Sequence, residues 1–169
     1  MREIIRFAWG ISSLGDFIVA MSDKGIVALE FGSARDALED ALRTRFPDAH
    51  LHESDSELAG VVATAAAQID DPASDCDLPL DLRGTAYEVK VWMILREIPA
   101  GQTTNYGALA TRLGTRDPRE VTQAIANNAV AVIVPCHRVI KKDGSISGYR
   151  WGVQRKRALL SREQGTQEH

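Results

Sequence analysis

The sequence predicts an α+β fold: a small sheet-containing amino-terminal lobe (residues 1–79) followed by a largely helical carboxy-terminal lobe (residues 80–169). Three observations predict it. Strand-like runs crowd the first 31 residues, capped helix starts crowd the second half, and a polar stretch with two prolines, DDPASDCDLPL at 70–80, lies between them. A chain of 169 residues can bury one sizeable core, or two small lobes that share one.

The elements follow in order. Residues 4–9 (IIRFAW), 16–21 (DFIVAM) and 26–31 (IVALEF) are rich in β-branched and aromatic residues and read as strands. Ser22-Asp23-Lys24-Gly25 turns the last two into a hairpin. Ser33 is placed to cap a helix with Leu38, Ala41, Leu42 and Phe46 on one face. A second helix is expected from about Ser56 to Ile69, striped by Leu58, Val61, Val62, Ala65 and Ile69.

In the second half, Thr85-x-x-Glu88 is a capping box, and the helix it opens turns Val89, Trp92 and Leu95 inward and stops before Pro99. Thr104 or Asn105 starts a short helix, Tyr106 to Leu113, ended by Gly114. Asp117-Pro118-x-Glu120 starts another: Asp at the cap, Pro at the first helical position, and a helix running to about Asn127. Two short helices joined by a tight glycine-containing turn form a helix-turn-helix. A buried strand is expected at Ala131–Val134, then Pro135-Cys136-His137-Arg138, a short strand Val139-Ile140, a turn at 141–144, a glycine-bearing loop, and a last helix from about Val153 to Gln164.

Composition narrows the function. Hydrophobic and charged shares of 44% and 25% are those of a soluble globular protein. The first ten residues lack the apolar run and cleavage site of a signal peptide, and no stretch approaches a membrane span, so a cytoplasmic location is expected. The net charge of −3 argues against a nucleic-acid binder until the chain is divided. Residues 1–80 carry six Lys and Arg against fifteen Asp and Glu, a balance of −9, and residues 81–169 carry fourteen against eight, a balance of +6. One half alone is suited to a polyanion. Of the two cysteines, Cys76 and Cys136, neither lies in a Cys-x-x-Cys pair, and the histidines show no zinc-finger spacing. His50, His52 and Cys76 could ligate a metal, but surface histidines beside a loop cysteine is the plainer reading, and no metal or cofactor is expected.

Cys136 follows an apolar run and precedes His137. A nearby imidazole can help a thiol become the nucleophilic thiolate, and a carboxylate behind the ring fixes its tautomer. Glu163 on the last helix is the candidate carboxylate. A cysteine beside a histidine is, on its own, more often a structural core thiol than a nucleophile.

The longer phrase carries more. Val134-Pro135-Cys136-His137-Arg138-Val139-Ile140, with Ser147-Gly148-Tyr149-Arg150-Trp151-Gly152 after it, closely resembles the active-site signature of the O6-alkylguanine-DNA alkyltransferases. Arg83-Gly84-Thr85-Ala86-Tyr87, Val91-Trp92, Ile98-Pro99-Ala100-Gly101-Gln102-Thr103 and Tyr106 match the same pattern. The resemblance is strong over residues 80–164 and looser over 1–79.

That resemblance implies a ribonuclease-H-like first lobe, a winged helix-turn-helix-like unit, and single-turnover transfer of an alkyl group from O6 of a flipped guanine in double-stranded DNA to Cys136, by a monomer. His137 would act as base through a water, oriented by Glu163. Asn128 would brace the turn that holds the cysteine, and Tyr106 would donate a proton to the departing guanine. Backbone near Cys136 and Val139 would read the base edge. Tyr149 and Arg150 would close the pocket and Lys156 would support their loop. Arg119 would fill the gap left by the flipped nucleotide, and Arg138, Tyr149, Arg150 and Lys156 are grouped with it on the DNA side. The turn before Arg119 is one residue shorter than the usual pattern, so Arg116 is the alternative to Arg119, and Glu120 stands where a small residue is typical. Three rival readings are a non-catalytic binder of alkylated DNA, a transcription factor, and a cysteine hydrolase. The acceptor cysteine argues against the first, the missing cysteine-rich zinc segment against the second, and single-equivalent behaviour would separate the third.

Overall fold

β-Branched and aromatic residues in the first third form a meander of three antiparallel strands: β1 (Glu3–Ser12), β2 (Gly15–Met21) and β3 (Ile26–Phe31). A fourth, β4 (Ala49–Glu53), pairs in parallel with β1, giving the order β3-β2-β1-β4. The computed structural model describes residues 2–114, 117–146 and 148–165.

Side chains alternate across a strand, and on β2 that alternation feeds two cores. Ile18 and Ala20 pack with Ile5, Phe7, Leu42 and Phe46 beneath α1 (Arg35–Arg45). Phe17 and Val19 face the other way, towards Ala65 and Ile69 of α2 (Ala59–Asp70). A sheet covered on both faces makes its strands continuously apolar, which is why DFIVAM and IVALEF contain so few polar positions. The second core continues through Trp92, Leu95, Val121, Val134 and Leu159, so the two expected lobes share it.

The carboxy-terminal part contains α3 (Ala86–Leu95), β5 (Thr104–Asn105), α4 (Tyr106–Leu113), α5 (Pro118–Ala126), a 3-10 turn at Cys136–Arg138, β6 (Val139–Ile140) and α6 (Val153–Gly165). Local chemistry sets most of these ends. The Thr85–Glu88 capping box opens α3, the Asn105 side chain caps α4, Gly114 closes α4 with φ 71°, and the Asp117 side chain caps α5 ahead of Pro118. Strands β5 and β6 pair in parallel and bring the start of α4 beside the segment after Cys136.

Four expectations need correction. Ser33 does not cap α1: the capping position is Ala34, with no side-chain bond. Helix α2 begins at Ala59, because the preceding residues close a turn from the Leu58 N–H to the Ser54 carbonyl (3.0 Å). Strand β4 went unread because AHLHE is a half-exposed edge strand without an apolar run. Residues 131–134 are buried as expected but form turns instead of a strand. Their hydrogen bonds run locally, from Ile133 N–H to Ala131 O (2.7 Å) and Val134 N–H to Val130 O (3.3 Å), and Val132 takes φ 67°. A β-branched residue there costs about 1–3 kcal/mol, and the surrounding core must hold it.

The far edge of β3 is covered. Ile26 N–H donates to Pro79 O and Ala131 N–H to Leu29 O, both 2.8 Å, so the stretch after α2 and the segment before Cys136 pair with the same strand. Gly25 is required at this crossing: a Cβ would lie 2.6 Å from the Pro79 backbone. Among the described residues, no helix is long and apolar enough to cross a membrane.

Candidate active site

The strained turn at 131–134 delivers Cys136 to the start of a 3-10 turn, with its thiol buried. Asn128, also buried, holds the turn from inside. Its Nδ2 donates to the carbonyls of Val130 and Val134 (3.2 Å each) and to Cys136 Sγ (3.3 Å), and its Oδ1 accepts from Val130 N–H (2.9 Å). Burial pushes the Cys136 thiol up to about 11, against the smaller opposing effects of the Asn128 hydrogen bond and the charges of Lys156 and Arg150. The thiol is therefore protonated at neutral pH.

His137 is fully buried, and its Nε2 lies 2.9 Å from Glu163 Oε2. Burial alone would raise the Glu163 carboxyl, but hydrogen bonds from His137 and Arg138 outweigh it and hold the group ionised. A carboxylate only accepts, so Nε2 carries the hydrogen and Nδ1 is the free base. Burial also lowers the His137 pKa, which keeps the ring neutral, and Nδ1 has no partner among the described residues. This is the arrangement of a general base beside a thiol.

A pocket of about 530 Å³ opens over the sulfur, lined by Tyr106 at the start of α4, Thr122, Ile125 and Ala126 on α5, and Gly148, Tyr149 and Arg150 on the following loop. Its size and largely apolar lining suit a flat aromatic ligand. The Tyr149 hydroxyl is buried and its ring packs edge-on against Trp151, with centroids 5.3 Å apart. Arg150 pairs with the buried Glu30 of β3 (2.7 Å) and donates to Asn128 O (3.0 Å). The loop is thereby fastened both to the sheet and to the residue that braces Cys136.

The family model described as the DNA-binding domain of 6-O-methylguanine DNA methyltransferase matches residues 86–165. The inducible methylated-DNA–protein-cysteine methyltransferase of Bacillus subtilis is 35% identical over 161 residues, covering 92% of this chain and 89% of that protein. The chain belongs to the methylated-DNA–protein-cysteine methyltransferase family. The crystal structure of Mycobacterium tuberculosis OGT in complex with DNA superposes with a TM-score of 0.79 at 33% identity, covering 95% of this chain and 93% of that one. The bifunctional transcriptional activator/DNA repair enzyme Ada of Escherichia coli is 41% identical over 165 residues. This chain spans about half of Ada's length, 47%.

Within this chain, the structure gathers Cys136, His137, Glu163, Asn128, Tyr106, Tyr149 and Arg150 around one pocket or its floor. It does not gather the other basic residues grouped as DNA contacts, Arg119, Arg138 and Lys156, at the mouth of that pocket. Arg119 stands at the amino-terminal end of α5, 91% exposed, bonded to its neighbour Asp117 (3.0 Å). Arg138 instead points inward: it is buried and bound to Glu163, so its expected place among the DNA contacts is corrected. Lys156 is buried as well, with Nζ 3.3 Å from Gly148 O. That suits support of the loop. Arg116 and Ser147 lie outside the described residues.

Two contributors were missed. Glu30, which anchors Arg150, was signalled only as the one carboxylate in an otherwise apolar strand. Arg45, at the end of α1, donates to Asn127 O at the carboxy-terminal end of α5 (3.4 Å), and nothing in the local sequence pairs those two elements.

Proposed function

We propose that this chain repairs DNA directly, by moving the alkyl group from O6 of a guanine in double-stranded DNA to Cys136, once per molecule. The observation that carries the reading is the buried thiol at the floor of a base-sized pocket, beside a neutral histidine whose tautomer a carboxylate fixes. Stacked guanine cannot reach a recessed sulfur, so the nucleotide must be extruded at a cost of a few kcal/mol. Arg119, the exposed side chain at the far end of the helix that lines the pocket, fills the gap.

The chemistry balances as a displacement at carbon. Cys136 sulfur forms a bond to the alkyl carbon, the carbon–O6 bond breaks with its electron pair going to the guanine, and the guanine takes a proton from Tyr106. His137 Nδ1 receives the thiol proton through a bridging water. With the thiol raised to about 11 and the imidazole lowered, complete ionisation before attack is uphill, so the proton leaves as the alkyl group arrives. The product thioether has no good leaving group, which makes the protein single-use. Backbone near Cys136 and Val139 reads the base edge.

Structural assignments belong to the same reading. Residues 1–79 form a ribonuclease-H-like lobe, and residues 80–169 carry the acceptor with a winged helix-turn-helix-like unit built on α4 and α5. The protein works as a cytoplasmic monomer. Excess duplex containing O6-methylguanine tests the proposal: transfer should stop at one methyl per protein. Continued turnover would make the chain a hydrolase or true catalyst and contradict it.

A further inference from the structure

We infer that Arg138 is a positioning residue, whose guanidinium holds the Glu163 carboxylate against His137 and ties that pair to the backbone at Pro72 and Ile98. The inference rests on the proposed reading of His137 as the base for Cys136.

Four contacts define it. Arg138 Nε and one terminal nitrogen both donate to Glu163 Oε2, at 2.9 and 2.5 Å. The other terminal nitrogen donates to Ile98 O at 2.6 Å, just after α3, and a 3.3 Å bond reaches Pro72 O, just after α2. Glu163 Oε2 thus accepts from His137 and twice from Arg138, and Oε1 has no partner among the described residues. Three donors converging on Oε2 fix the place of the one oxygen that His137 Nε2 meets.

Charge explains why a cation is needed. With the imidazole neutral, Glu163 and Arg138 cancel. Without the guanidinium, the buried carboxylate would be left uncompensated, and the favourable way to compensate it is to protonate His137. The imidazolium would then have no lone pair for the Cys136 proton. Other ionisable groups near this cluster are Lys156 on α6, Cys136 on the same turn, and Tyr149, which feels both Cys136 and Glu163, while Asp75, Asp77 and Arg96 line the cavity beside Arg138. None of them contacts Glu163 as Arg138 does. A phosphate-binding arginine would be exposed, whereas this one is 8% exposed.

Imidazole nitrogen NMR on 15N-histidine-labelled protein tests the inference, with the His137 signals identified by their loss in His137→Gln. In the parent, Nε2 should carry the hydrogen and the ring should titrate below an ordinary histidine. Arg138→Gln, which keeps a donor and loses the charge, should move the titration midpoint upward. The acid limb of the single-turnover rate should move up with it, and the rate at pH 7 should fall by about tenfold to a hundredfold, as for other groups that orient a histidine. Arg138→Lys keeps the charge but cannot reach both Glu163 and two carbonyls, so its midpoint should stay near the parent's while its rate falls. A cavity of about 410 Å³ lined by Arg138, Pro72 and Ile98 gives a small cation access, so millimolar guanidinium should partly restore Arg138→Ala.

An unmoved midpoint in a folded Arg138→Gln would overturn the inference, as would a parental rate in Arg138→Lys. A salt slope of DNA binding reduced by about one in Arg138→Gln would restore the phosphate contact. If the parent itself transfers no methyl, the functional reading fails, and the NMR arm still decides the role of Arg138.

Discussion

The amino-terminal end of α5 and the floor of the pocket treat basic side chains in opposite ways. At the helix end Arg119 stands 91% exposed, bonded to a neighbour two residues away. Beneath Cys136, Arg138 and Lys156 are buried, one on a carboxylate and two carbonyls, the other on the loop carbonyl of Gly148. All three count equally towards the +6 of the second half, yet only one is placed to meet a polyanion. Charge totals single out the half of a chain suited to a polyanion. Burial decides which cations do so and which set up the chemistry.

Substitutions can break that contrast, beginning with the largest effect. Cys136→Ala should abolish transfer while leaving binding to undamaged duplex near the parent's, measured by quenched transfer and by fluorescence anisotropy. Next, His137→Ala or Glu163→Gln should slow transfer by about a hundredfold or more, the lower part of the range for a general base, with little change in DNA affinity. The acid limb gives the sign of the pH dependence. The His137 pKa lies below its ordinary value, so the base is available at neutral pH and is lost only as the pH falls through that lowered value. A parent rate in either variant would remove the relay from the mechanism.

Arg119→Ala should slow transfer from duplex by about tenfold, the share of a few kcal/mol of unstacking that one inserted side chain can offset. Reaction with free O6-methylguanine base, which needs no flipping, should hardly change. Equal losses on both substrates would mean a folding defect. Salt sharpens the comparison further: the loss in Arg119→Ala should persist at low salt, where a mere phosphate contact would be rescued, whereas Lys156→Gln should leave the salt slope of binding alone and loosen the loop. Smallest of all, Glu120→Ala should tighten duplex binding by about twofold, the scale of one exposed charge. Lower thermal stability with unchanged affinity would instead assign Glu120 to its place in the first turn of α5.

The readable parts of the sequence were those governed by local rules. The Thr85 capping box, Asn105, Gly114 and the Asp117-Pro118 start fixed α3, α4 and α5 to within a residue or two. The Pro-Cys-His-Arg phrase pointed to the buried thiol and imidazole that lie at the floor of the pocket. Long-range pairing was not readable. Edge strand β4 is paired on one side by β1 alone and has no apolar run to signal it. The segment 131–134 has the composition of a strand, but Asn128 and the neighbouring β3 fold it into turns, and Val132 takes a backbone conformation its own side chain disfavours. Glu30 with Arg150 and Arg45 with Asn127 join residues 120 and 82 positions apart, respectively. Arg138 sits in the most recognisable phrase of the chain, and its direction is still set by Glu163, 25 residues later.

Intact mass and peptide mapping after mixing the protein with a duplex carrying a single O6-methylguanine test the central claim most directly. The expected result is one added methyl per molecule, confined to the peptide containing Cys136, with guanine restored in the DNA and Cys76 unmodified. A methyl on Cys76, no adduct with the lesion consumed, or an unaltered lesion beside folded protein would each contradict the assignment of Cys136 as acceptor.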